Sequence, residues 1–187
     1  MTRLRQRDAG FSALCASAVL LLSCTYANPE PVVRVTHHVR RPGTDSIVLA
    51  VYATLFRQPT GLAAFPDGGR PRLTDERAIF YLCVLHEESA TARRLAVIAK
   101  PDSIRSGFTP WVSSWDGTTG VFASVRGYTT VESVPNAFRT IWFRVQLTGA
   151  VEQIARGPSE LPAATSLPAA CEATVLRDAK QADPSSQ

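Results

Sequence analysis

The chain has 187 residues, 45% of them hydrophobic, with 20 Lys and Arg against 16 Asp and Glu for a formal charge of +4. That length and composition suit one globular domain with a real core and exclude a long low-complexity protein. The basic residues are scattered, with Arg40-Arg41 and Arg93-Arg94 the only adjacent pairs, so nothing argues for a nucleic-acid partner.

The chain begins with Arg3, Arg5 and Arg7, followed by an uncharged apolar stretch from Phe11 to Leu22. About 12 apolar residues fall short of the roughly 20 that a membrane-crossing helix needs, and the pattern fits a cleaved signal. The stretch closes on Leu21-Leu22-Ser23-Cys24, which resembles the lipobox of bacterial lipoproteins. The resemblance implies removal of residues 1–23, lipidation of Cys24 and a short tether over 24–31. It also implies delivery to the outer membrane, because Thr25 rather than an aspartate follows the anchor. An ordinary secretory signal cut after Ala27 and an uncleaved apolar helix are the competing readings. Loss of Arg3, Arg5, Arg7 and Asp8 with the leader leaves a nearly balanced charge of +2.

The rest reads as two copies of one β-unit, about 32–101 and 102–158. Aligned without a gap, Gly43-Thr44-Asp45-Ser46-Ile47-Val48-Leu49-Ala50-Val51 faces Gly117-Thr118-Thr119-Gly120-Val121-Phe122-Ala123-Ser124-Val125. Further on, Ala78–Leu85 faces Thr140–Leu147. In the first copy, expected strands run over about 32–38, 46–55, 78–86 and 93–99. Ser46–Arg57 also carries apolar residues at helical spacing. Its glycine-bounded partner 120–127 is too short for a helix, so both are read as strands. Residues 78–86 are apolar on both faces and should form a strand covered on both sides. Asp75-Glu76 and Glu87-Glu88 are read as solvated loop charges.

The second copy gives expected strands at about 108–113, 119–127, 139–148 and 151–156. Ile141, Phe143, Val145 and Leu147 alternate with Trp142, Arg144 and Gln146, the mark of a strand with one face buried. Pro42-Gly43-Thr44, Pro66-Asp67-Gly68-Gly69 and Trp115-Asp116-Gly117 supply turn residues. A tryptophan and glycine just before a strand, then a second strand, a turn and a third, resembles the blades of bacterial β-propellers. Two units cannot close a propeller. The expected fold is therefore all-β: two antiparallel four-stranded meanders forming packed sheets or a partial barrel. After them, 157–170 should wrap the surface, 171–177 should add one last strand, and 178–187 should be a disordered tail. The domain then spans 32–177.

Four cysteines are present. Cys15 leaves with the leader and Cys24 takes the lipid, so Cys83 and Cys171 remain for a disulfide in an oxidising compartment. On the chain-entropy model such a bridge contributes about 4–5 kcal/mol. Two buried free thiols are the alternative.

No catalytic constellation emerges, and no cofactor or metal is implied. The rings of His37 and His38 should point to opposite faces of a strand, and each histidine, like His86, reads as a solvated strand-end residue. Binding is the better reading. Phe122, Arg126, Trp142, Arg144 and Gln146 share the polar face of the second unit, with Trp111 and Trp115 extending the patch. A layer of the fold lying over this face is the bland alternative. The sequence thus reads as a non-enzymatic, lipid-anchored envelope lipoprotein. It would bind or scaffold an envelope protein or small ligand, with an envelope enzyme of unrecognised type as the alternative.

Overall fold

The computed structural model describes residues 32–56, 73–87, 89–131, 134–158 and 166–181. The leader, Cys24, the tether, the turn at 66–69, residues 159–165 of the wrapping segment and residues 182–187 lie outside the described residues.

Two four-stranded antiparallel sheets form the molecule. The first contains β1 (Val33–Arg40), β2 (Ser46–Phe56), β3 (Leu73–Leu85) and β4 (Ala90–Ala99), in that spatial order. The second repeats the arrangement with β5 (Ser106–Asp116), β6 (Gly120–Val131), β7 (Val134–Gln146) and β8 (Val151–Ile154). Each is a meander whose strands pair only with their sequence neighbours. The aligned glycines Gly43 and Gly117 occupy equivalent turns, β1–β2 and β5–β6, with φ of 69° and 58°. An L-side chain is strained in that left-handed region, which makes glycine the natural residue there.

The sheets pack face to face. Val48, Ala50, Ala78 and Phe80 of the first meet Val112, Val121, Ala123, Val125, Phe143 and Val145 of the second in one continuous core. At one edge the sheets are joined through β1 and β5. A bulge between Val35 and His37 displaces Thr36 from the β1–β2 ladder, and its hydroxyl donates to the Pro110 carbonyl at 2.6 Å. The result is two packed sheets with one seam, not a closed barrel or propeller.

The other face of the first sheet is also apolar: Ile47, Leu49, Val51, Ile79, Tyr81 and Cys83 form a second core. A helix, α1 (Ala169–Gln181), covers it with Cys171, Val175 and Ala179. Cys83 and Cys171 are disulfide-bonded, with 6.0 Å between their Cα atoms. Residues 78–85 are therefore covered on both sides, as their unbroken hydrophobicity predicts.

Three expectations are corrected. Residues 171–177 are helical rather than a last strand, and 178–181 continue the helix. The cause is spacing: Cys171, Val175 and Ala179 recur every four residues and stack along one helical face. Glu172 in the first turn and Lys180 in the last suit the helix dipole. Asp75 and Glu76 lie within β3, which starts at 73 rather than 78. Their charges are compensated there, with Arg77 paired to Asp75 and Lys100 to Glu76. The Tyr52 hydroxyl also donates to Glu76 at 2.8 Å. β4 and β7 likewise begin earlier than expected, at 90 and 134. Pairing with the neighbouring strand overrides their polar residues.

Candidate binding face

Alternation along β6 and β7 fixes what the outer face of the second sheet displays. Val121, Ala123 and Val125 turn into the core, so Phe122, Ser124 and Arg126 turn away from it. Ile141, Phe143 and Val145 do the same for β7 and leave Trp142, Arg144 and Gln146 outside. Cross-strand register then sets neighbours: Trp111 and Trp142 both lie opposite Ser124, one on each side, and Phe122 lies opposite Arg144. The five residues read from the sequence as a patch thus share one sheet face.

Ser124 is small enough to leave a trough between two indoles, and the Arg126 side chain lies across it. Its guanidinium carbon is 4.5 Å from the centre of the Trp111 ring and 5.9 Å from that of Trp142. Its Nε donates to the Ser124 hydroxyl at 3.3 Å. Burial pushes the Arg126 pKa down, but arginine remains charged at any physiological pH. The stack continues beyond Trp111: the His37 ring lies 3.7 Å from it, at an interplanar angle of 23°. Burial is also the main cause of the lowered His37 pKa, partly opposed by a hydrogen bond with the Val112 backbone. His37 is therefore a neutral stacking partner and not a solvated strand-end histidine. The Trp111 indole N–H is buried without an acceptor among the described residues, so the ring is held by its faces.

Other patch residues are committed internally. Arg144 pairs with Asp116 at 2.6 Å and Glu152 at 3.4 Å, and lies over Phe122 with its guanidinium carbon 5.8 Å from the ring centre. The Gln146 side-chain oxygen accepts from Thr148 at 3.2 Å. Trp115 does not extend the patch. A bulge between Val112 and Ser114 reverses the alternation, and its ring packs against the inter-sheet core with Arg41 above it.

Among the described residues, cover over the face is partial. Gly157 lies so close to Trp142 that an added Cβ would overlap the ring, so the segment after β8 touches it. Helix α1 lies on the other sheet. At the far end of the face, Tyr128 and Phe138 are 45% and 59% exposed and meet edge to face with ring centres 5.5 Å apart. The sequence reading missed this pair, although both residues occupy outward positions in the same alternation as Arg126 and Trp142.

Among the described residues no three His, Cys, Asp or Glu gather as a metal site would require. No described helix is long and apolar enough to cross a membrane. An open hollow beside Asp45, His86, Glu87 and Pro168 lies at the turns of the first sheet, away from the aromatic face. No family model matches the chain, and no match appears among curated proteins or solved structures.

Proposed function

We propose that this chain is a lipid-anchored lipoprotein of the bacterial envelope, acting as a binding or scaffolding module through the outer face of its second sheet. One observation supports the binding reading. The inner sheet faces cover each other and α1 covers the outer face of the first sheet. The remaining face carries Trp111, Arg126 and Trp142 in a stack. Trp and Arg concentrate binding energy at interfaces, because both bury large area and carry directional donors. The anchoring part rests on the lipobox resemblance at Cys24, and delivery to the outer membrane on Thr25 rather than an aspartate following it.

Photo-crosslinking in cells tests the module. A photoreactive residue replacing Phe122 should form adducts that the same residue at exposed Lys180 on α1 does not. Equal labelling from both positions would remove the face from consideration.

A further inference from the structure

Arg126 differs from Arg144, which shares its sheet face, in one respect. Arg144 has Asp116 and Glu152. Among the described residues Arg126 has no carboxylate. Its one hydrogen bond is from Nε to a neutral hydroxyl, which leaves the terminal nitrogens of the fork without partners among the described residues. A half-buried charge lacking a counter-ion is costly. The two indole faces offset part of that cost. They also hold the guanidinium in one orientation, so little side-chain entropy remains to be lost when it engages a ligand.

We propose that Arg126, held between Trp111 and Trp142, receives a carboxylate from an acidic residue in an extended segment of a partner protein. This rests on the binding-face reading and gives it a ligand chemistry. A planar fork with free terminal donors matches a carboxylate in bidentate geometry. Phosphate-rich partners fit less well, since they require several free cations and Arg144 is already neutralised on the same face. The surface shape favours a chain over a small molecule. Phe122, Ser124, Arg126 and Tyr128 are alternate residues of one strand, so the outward row spans about 20 Å. That length accommodates about six residues of extended peptide, with the acidic side chain over Arg126 and apolar neighbours over Trp142 and the Tyr128–Phe138 pair.

The test presents full-length lipoprotein in detergent micelles with two randomised octapeptide libraries, one with a fixed central Glu and one with a fixed central Gln. Trp111 and Trp142 fluorescence supplies a second readout for the selected peptides. The expected result is about tenfold stronger binding of Glu peptides than of their Gln counterparts, the scale of a charge-assisted bond. That preference should shrink with added salt. R126Q should reduce it to parity without changing the melting temperature, and R126K should keep only part of it. Equal binding of both libraries to the wild type, or no binding of either, overturns the carboxylate. Photo-adducts from position 122 that survive that outcome would leave the binding face standing with a neutral partner. Loss of both results would remove the face as well.

Discussion

The Tyr81 hydroxyl on β3 donates to the Asp178 carboxylate on α1 at 2.8 Å, and Arg94 of β4 reaches the same carboxylate oxygen at 3.0 Å. Two strands thus converge on one residue of the helix, which the Cys83–Cys171 disulfide also joins to β3. Burial, followed by this hydrogen bond to an anion, raises the Tyr81 pKa well above the ordinary tyrosine range. Burial and the bond to Glu76 do the same for Tyr52.

These shifts set an alkaline limit on stability. A group whose folded pKa is raised contributes stability that is fully present below its unfolded value, about 10 for tyrosine, and lost as pH rises through the folded value. Urea unfolding between about pH 8 and pH 11.5 should show stability falling only above about pH 10. Tyr81→Phe and Tyr52→Phe should each flatten that fall. An unchanged slope in the double variant would show that other groups set the limit.

Reduction of the Cys83–Cys171 bridge should loosen α1 before it melts the sheets, because the inter-sheet core uses no helix residue. Replacing both cysteines by alanine should cost about 2–5 kcal/mol. Hydrogen exchange checks the order: amides of 171–181 should lose protection first, with those of β6 and β7 unchanged.

Trp142 is half-buried, touched by Gly157 on one side and by Arg126 on another. Trp142→Ala should therefore cost about 1–2 kcal/mol, between a surface site and a core site. Phe143→Ala, one residue away but facing the core, should cost about 3–5 kcal/mol. Thermal melts of the two variants distinguish these values. Equal losses would mean that Trp142 belongs to the core in energetic terms.

Cys24→Ala should release the protein from membranes or leave it unprocessed, since no described helix is long and apolar enough to cross one. Fractionation after a salt wash checks this, and a processed variant that still pelleted with the envelope would exclude anchoring through Cys24.

The period-two alternation along β6 and β7 made their inner and outer residues legible, and the glycine turns marked the two meanders. The aromatic face was readable for the same reason. The position of Trp115 and the stacking of His37 were not, because each depends on a bulge. One extra residue in a strand reverses every subsequent side chain, and no local composition near Thr36 or Ser113 announces it. The helix was missed because three apolar residues in a short polar stretch suit either period. The deciding third one, Ala179, lies beyond Arg177, where the expected strand stopped.

Because each strand pairs only with a sequence neighbour, the first sheet has all its partners as soon as residue 99 has been made. Its outer face does not. Leu49, Val51 and Tyr81 stay bare, and Cys83 stays a reactive thiol, until the final 13 residues of the described domain arrive. A nascent or truncated chain thus passes through a form with a sticky sheet and an unpaired sulfur. Under the proposed anchoring, Cys24 is the only competing thiol left in the mature protein, and lipidation at its sulfur removes it. Attachment to the membrane then doubles as quality control, since it leaves Cys83 a single possible mate.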